Sequence, residues 1–566
     1  MVPLPGSGNS VRPYSRRPSP LLPCACLALL LLAVSLRAQT PSSSRVTGAP
    51  HARHAAALFS HSDDCVACHN ALTTAAGEDV SIGTAWRSTM MANSARDPYF
   101  HASVRRETMD HAGRADEIQD ECAACHVPIA HREAHASGHR AVVLQATGRG
   151  AAAAAAGGRL ASDGVSCTVC HQIAPDGLGS PASFNGRFAV RPPRADGVRE
   201  AFGPFAVDAG RHTIMRSVTG FEQVEAPHVR QSELCATCHT LITQAFDRDG
   251  RVIGSLPEQM NYQEWRHSAF DDEGRSCQSC HMPRASGPLR VSSVLGAERD
   301  GLSRHAFVGG NAFMLRLLNR FRDELGVEAP AEALEATARL TERQLRHDTA
   351  TVEVTAPERS DGGVAFEVIV RNLTGHKFPT GYPSRRAWLH VTVRDDGGQV
   401  LFESGAEASD GSVAGSDSDA DPLAFEPHYD VIDRPDQVQI YESVMGDVAS
   451  RPTTGLLSAV RYLKDNRLLP RGFDKGTAAA EIAVVGNAAG DASFSGGSDR
   501  LRYHVHLSAG RRLGRIAVEL RYQPIAYRWA RNLASYAAPE PTRFVTFFDR
   551  LSSSASVVVA TADRDE

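Results

Sequence analysis

The sequence predicts an α+β, multidomain chain: a mostly helical, loop-rich N-terminal half followed by an antiparallel β-sandwich. Three observations carry that prediction. From Cys65 to His281 the chain is rich in Gly, Pro and Ala and shows few sustained apolar periods, yet five copies of Cys-x-x-Cys-His punctuate it. Residues 311–325 (NAFMLRLLNRFRDEL) and 331–345 (AEALEATARLTERQL) then carry apolar residues at helical spacing. From Thr351 onward short β-branched runs alternate apolar and polar positions, as strands with one buried face do. At 566 residues the chain exceeds one ordinary domain.

Taken in order, residues 1–38 read as a signal peptide: Arg12, Arg16 and Arg17 precede an apolar run from Leu27 to Leu36, which ends at Ala38. Cys24 and Cys26 sit at the start of that run rather than after it, which disfavours a lipid anchor. Export places the protein in the periplasm or outside the cell. No later stretch approaches the roughly 20 apolar residues that span a bilayer, so no transmembrane segment is expected. The formal charge of the whole chain is −5, and losing residues 1–38 removes Arg37 and the three other arginines but no acid. An acidic chain argues against nucleic acid and for redox-protein partners, one donor and one acceptor.

Residues 50–310 hold the five motifs: Cys65, Cys68 and His69; Cys122, Cys125 and His126; Cys167, Cys170 and His171; Cys235, Cys238 and His239; and Cys277, Cys280 and His281. Two thiols three positions apart reach the two vinyl groups of one haem, and the adjacent histidine falls beneath the iron as proximal ligand. The chain is therefore expected to bind five haem c groups covalently, one iron per motif. Zinc also takes paired cysteines, but it does not require a histidine directly after every second one. Disulfides are expected in exported chains, yet the motifs use all ten of these cysteines. The motifs recur at intervals of 42 to 68 residues without an internal repeat, so haem is expected to supply much of this core. The insert 148–158, with its run Ala151 to Ala156, reads as a surface loop.

Residues 311–347 are expected to be connecting helices. Residues 348–525 supply the strand-like runs TVEVTA, VAFEVIVRN, AWLHVTVRD, QVLFES, EIAVVG, RYHVHLS and RIAVELRYQ, with Gly397-Gly398 marking a hairpin turn. Residues 526–552 close the chain as a helical segment, amphipathic near 526–536.

The sixth position on each iron decides between carrier and catalyst, and eighteen histidines lie outside the motifs. His228, seven residues before Cys235, and His305, just before the first connecting helix, are candidate distal ligands. His61, four before Cys65, and His111, eleven before Cys122, have similar placement. Met91, beside Met90, offers a thioether, which would raise a haem potential; core packing is its competing role. His376 lies in Asn372-Leu373-Thr374-Gly375-His376-Lys377-Phe378-Pro379-Thr380-Gly381, a loop that interrupts the strand pattern and can reach toward a haem. His131, His135 and His139 recur at helical spacing, facing either a haem edge or solvent. Asp417, Asp419 and Asp421 offer alternating hard oxygens of the kind Ca2+ takes, though without an EF-hand glycine or closing glutamate.

With these motifs in place, the sequence resembles the multihaem cytochrome c superfamily that includes the small tetrahaem cytochromes of nitrifying bacteria and the hydroxylamine oxidoreductases. The five motifs and Cys280-His281-Met282-Pro283 carry that resemblance over roughly the N-terminal half. Separately, residues 374–391 (TGHKFPTGYPSRRAWLHV) are similar to the C-terminal β region of bacterial multihaem cytochromes. The resemblance implies closely packed haems along which electrons hop. No Cys-x-x-Cys-Lys occurs, so the lysine-ligated haem of pentahaem nitrite reductases is not indicated, and no tyrosine matches the crosslinking one of the hydroxylamine enzymes. The expected function is electron relay in a respiratory chain, between a quinol-linked donor and a terminal reductase or extracellular acceptor. The alternative is an oxidoreductase acting on a small nitrogen or sulfur compound at one haem with an open coordination position, with His, Arg or Tyr donating protons.

Overall fold

The N-terminal half is a succession of short helices and long connections, and each motif sits on or beside one helical turn. The computed structural model describes residues 57–146, 158–360, 362–508 and 510–565; the predicted signal peptide and all but the last residue of the 148–158 insert lie outside them. Asp63–Val66, Ala115–His126, Cys167–Cys170, Ser232–Ala236 and Cys277–His281 contain motif cysteines. The longest helix of this half, Pro98–Asp110, starts where Pro98 fixes the first turn and the Asp97 carboxylate accepts the Tyr99 and Phe100 N–H groups. The apolar residues here gather in several small clusters, such as Phe59, Ile129, Val169, Ile173 and Phe188, instead of one large core. Three strand pairs that the sequence did not signal interrupt the helices: Arg199–Gly203 runs parallel to Phe221–Glu225, Leu241–Phe246 pairs antiparallel with Val252–Gln259, and the short Leu289–Arg290 pairs antiparallel with Glu298–Arg299.

The two amphipathic segments after the last motif are helices Ala312–Arg320 and Ala331–Asp348. The Asn311 side chain caps the first by accepting the Met314 N–H. Their apolar faces pack with Tyr99 and Ala102 from the helix Pro98–Asp110 and with Phe544, Phe547 and Phe548 from the helix Pro539–Asp549. Phe321 stacks on Phe547 with ring centres 3.8 Å apart. This shared cluster draws segments from the start, middle and end of the chain together, and Ala55–Glu566 forms one compact unit.

The β region holds two sheets. One follows the order Pro452–Thr453, Ile440–Gly446, Arg386–Asp395, Leu513–Gln523, Val557–Asp565, with Val400–Ser404 and Arg461–Asp465 pairing from its side. The other follows Val431–Ile432, Ser498–His506, Gly363–Asn372, Ala350–Val354, with Glu358–Ser360 beside it. Period-two burial along Ser498–His506 and Leu513–Gln523 turns one face of each strand inward. Phe366, Val368 and Val370 of one sheet and Leu389, Val391 and Ile516 of the other meet in one apolar core. Gly398, at φ 82°, makes the turn between Arg386–Asp395 and Val400–Ser404 in the left-handed region that glycine tolerates.

Three details depart from the pattern read from sequence. Val431–Ile432 pairs parallel with Ser498–His506, while the other pairings in these two sheets are antiparallel. The run EIAVVG forms a 3₁₀ turn, Ala480–Ile482, and a single bridge between Val485 and Asp465 rather than a strand. The chain also continues beyond its closing helices, Tyr527–Leu533 and Pro539–Asp549, into a strand, Val557–Asp565, that pairs with Leu513–Gln523. Among the described residues no helix is long and apolar enough to cross a membrane.

Candidate functional site

Helical backbone bonds place the motif histidine one turn after the first cysteine: the N–H groups of His69, His171 and His239 donate to the carbonyls of Cys65, Cys167 and Cys235, each at 3.0 Å. Residues four apart share a helix face, so imidazole and thiol point to the same side. The second cysteine is not always on the helix itself. Cys68 lies past the end of Asp63–Val66 and Cys238 past the end of Ser232–Ala236, and each is held in a turn by its N–H donating to the first cysteine's carbonyl, at 3.1 and 3.3 Å. The Cys68 carbonyl in turn accepts the Ser293 N–H at 2.8 Å and the Ser293 hydroxyl at 3.0 Å, so the segment after the fifth motif steadies the first. Cys68 and the other nine motif cysteines are all half-buried, and none of them is in a disulfide.

The outer nitrogen of several motif histidines is also fixed. His69 Nδ1 lies 2.6 Å from the Val291 carbonyl, His171 Nδ1 lies 2.6 Å from the Phe202 carbonyl, and His281 Nδ1 bonds the Val308 carbonyl. A ring that donates from Nδ1 to a carbonyl keeps its Nε2 lone pair for a metal.

Two of these rings face a second imidazole. His171 and His305 lie with ring centres 6.4 Å apart and planes 21° apart, and His281 and His376 lie 6.3 Å and 15° apart. That separation leaves room for one metal ion bonded at about 2 Å to each ring. The partners are held in the same way as the motif histidines, with His305 Nδ1 3.0 Å from the Ser303 carbonyl and His376 Nδ1 2.8 Å from the Lys377 carbonyl. Burial pushes both His305 and His376 down to about 4, so each ring is neutral at pH 7, as a ligand must be. The residues at the third and fifth motifs thus fit a six-coordinate haem iron. His69, His126 and His239 form no such facing pair among the described residues; His126 instead stacks on Phe100, with ring centres 3.9 Å apart.

The motifs are also in contact with one another. The thiols of Cys65 and Cys167, of Cys125 and Cys238, and of Cys235 and Cys277 lie close enough to shift one another's ionisation, and Cys238 acts electrostatically on Cys170. The fourth motif therefore neighbours the second, third and fifth, and the first motif neighbours the third.

His376 sits in a loop anchored by buried charge. Next to it, Lys377 Nζ lies 2.7 Å from Asp465, and Arg467 bridges Asp465 at 2.7 Å and Glu264 at 2.9 Å. Glu264, on the helix Asn261–Arg266, also accepts the Lys377 N–H at 3.2 Å and the Thr380 hydroxyl at 2.5 Å. Burial alone would raise the Asp465 carboxyl, but Arg467 and Lys377 hold it down at about 2. The Asn372 and Thr374 side chains both donate to the His376 carbonyl. This network ties the β-region loop to a helix of the motif-bearing half. Neither Glu264 nor Asp465 was singled out from sequence, because nothing local marks a carboxylate as the support of a distant loop.

The other candidate ligands sit elsewhere. His228 is buried with Nε2 2.8 Å from the Ile173 carbonyl, which commits its usual coordinating nitrogen to the backbone. His61 Nε2 lies 3.3 Å from Asp163 and its Nδ1 3.4 Å from Asp63. His111 Nε2 lies 3.2 Å from the Ser458 hydroxyl. Met91 is half-buried, its carbonyl accepting the Val165 N–H at 3.0 Å, and Met90 packs against the helical cluster around Phe313. The acidic run does not converge on one point: Asp419 is spent on the buried Arg386 through contacts of 2.8 and 2.9 Å, and Asp421 accepts the Leu423 N–H. That pairing removes the negative charge a Ca2+ site would need.

No family model matches the chain, and no curated protein matches it. Among solved structures it is similar to a penta-haem cytochrome c552 from Thermochromatium tepidum, with a TM-score of 0.52 and 16% sequence identity. The match covers 90% of this chain and 99% of that one, so the motif-bearing half and the β region are both included. The chain therefore has the fold of a multihaem cytochrome c.

Proposed function

We propose that the protein is a pentahaem c-type cytochrome, exported to the periplasm or beyond, which relays electrons in a respiratory chain between a redox-protein donor and acceptor. The observation that carries this reading is the pair of facing imidazoles, His171 with His305 and His281 with His376. Two facing histidines would hold a haem iron from both sides and leave it to exchange electrons only. Haem bound at each motif supplies the one-electron chemistry; the protein's part is to hold, orient and shield it. The Nδ1–carbonyl bonds set the tautomer of the facing rings, burial keeps His171, His305 and His376 neutral, and the electrostatic coupling of thiols from different motifs places neighbouring motifs close together. The fourth motif, at the junction of the second, third and fifth, is the branch point of the relay. The two sheets over one core are read as a β-sandwich whose part is to deliver His376.

Low-temperature EPR and magnetic circular dichroism of the purified oxidised protein test this reading by counting low-spin and high-spin haems. At least two His/His low-spin signals are expected, and His376→Ala should convert one of them to high spin. A spectrum without His/His signals would sink the proposal.

The absence of a facing imidazole at His69, His126 and His239, among the described residues, favours a second reading in which one of these irons keeps an open position for a small nitrogen or sulfur compound. Glu258 lies within electrostatic reach of the thiols of Cys122 and Cys125, and burial raises its carboxyl to about 8. A carboxylic acid that stays protonated at neutral pH is a proton donor. A high-spin signal that shifts on adding nitrite, hydroxylamine or sulfite would establish this reading; no shift with any of the three would exclude it for these compounds.

A further inference from the structure

His131 and His135 stand one turn apart on the helix Pro128–Ala136, and their rings lie 4.2 Å apart. Both turn Nε2 toward Asp120 on the preceding helix, Ala115–His126. His135 Nε2 is 3.0 and 2.9 Å from the two carboxylate oxygens, and His131 Nε2 is 3.8 Å from Oδ1. We propose that Asp120, His131 and His135 form a binding site for a divalent transition metal of the zinc class.

The spacing carries the proposal. A tetrahedral ion with bonds of about 2.0–2.1 Å holds its donor atoms about 3.3 Å apart, and the observed separations of 2.9 to 3.8 Å bracket that value. Small rotations of the His131 ring and the carboxylate close the set around one point. The Ala141 N–H donates to Asp120 Oδ1 at 2.8 Å, which aims the carboxylate as outer-shell partners of metal ligands do. The Asp120 and His131 side chains are each 15% exposed, whereas His135 is 48% exposed. The set is thus walled on one side and open on the other, where water completes the coordination. Two imidazoles and one carboxylate suit zinc, copper or nickel and not the hard cations calcium and magnesium.

A second trio, His428 with Asp491 and Asp499, brings similar groups together but fails on chemistry. The Gln439 and Asn466 side-chain amides both point an N–H at His428 Nδ1, at 2.8 and 3.1 Å. Nδ1 is therefore the acceptor, and Nε2 carries the proton, which it donates to Asp491 at 3.2 Å. A protonated Nε2 has no lone pair for a metal. In the first trio no amide donor holds Nδ1 as an acceptor; His131 Nδ1 has no partner, so its ring can carry the proton on Nδ1 and offer Nε2 to a metal.

Asp120 lies two residues before Cys122, so a metal here joins the helix of the second motif to the helix that follows. The test is calorimetric titration of the full-length, haem-loaded protein with zinc chloride after removal of adventitious metal by chelator, with thermal melts in parallel. One zinc per chain is expected, with affinity falling at least ~10-fold in His135→Ala and in Asp120→Asn. His139→Ala, a change to a neighbouring histidine outside the set, should bind as the parent does. Zinc should raise the melting temperature of the parent and of His139→Ala but not of His135→Ala. An unchanged Soret band in each variant separates loss of the site from loss of the fold. Equal zinc binding in the parent and in folded His135→Ala, or no stoichiometric binding to the parent, overturns the site.

Discussion

His376 and Glu264 show how single side chains set the geometry of a facing imidazole pair. Glu264 accepts from the Lys377 N–H and the Thr380 hydroxyl and pairs with Arg467, so it supports the loop from the opposite half of the molecule. Removing one partner from a buried ionic network leaves charge unpaired in low dielectric, at a cost of about 3–5 kcal/mol. Glu264→Ala should therefore lower stability by that amount in denaturant titration, and the His/His signal assigned to His376 should broaden or weaken. Asp465 adds a pH dependence. Its folded value of about 2 lies below the ordinary 3.8, so its contribution is complete above about pH 4 and is lost as pH falls toward 2. Melting temperature followed across that window should fall more steeply in the parent than in Asp465→Asn, which cannot titrate; parallel curves would show that Asp465 does not carry the effect.

Among the elements, the helices at 311–348 and 539–549 join the two halves. The Phe321–Phe547 stack is buried within the cluster formed by Tyr99, Phe313, Leu318, Phe544 and Phe548. Truncating a buried aromatic costs about 3–5 kcal/mol. Phe321→Ala is accordingly expected to shift the denaturation midpoint by a corresponding amount while leaving the ligation at His171 and His305 intact by EPR, since Phe321 contacts neither ring pair. The final strand, Val557–Asp565, covers the edge of Leu513–Gln523. Its VVVATA run alternates weakly and sits after two helices, so the local pattern does not announce that it returns to a sheet laid down earlier in the chain.

At the scale of the whole molecule, the contacts between motifs make a branched arrangement, with the fourth motif in reach of the second, third and fifth. The five Cys-x-x-Cys-His motifs were legible in the sequence because attaching a haem is local chemistry, in which one turn of backbone holds both thiols and the proximal imidazole. That Cys68 and Cys238 fall just beyond their helices was not legible, since short helices end where neighbouring segments such as Ser293 take over the backbone bonds. The strands Ser498–His506 and Leu513–Gln523 were legible because burial on one sheet face imposes a period of two, and Gly363–Asn372 and Arg386–Asp395, buried on both faces through most of their length, because they are rich in β-branched and aromatic residues. What remained open was which of eighteen other histidines faces which motif histidine. His305 and His376 stood in the candidate set beside His61, His111 and His228, and no spacing rule separated them, because a distal ligand is brought in by packing between segments far apart in the chain. Tertiary structure alone decided that His305 meets His171, that His376 is carried to His281 by a loop of the β region anchored on Glu264, and that the helical histidines 131 and 135 converge on Asp120. The sequence determined the motif geometry because that geometry needs only neighbours along the chain; which imidazole faces which motif, and which motifs adjoin, need neighbours in space.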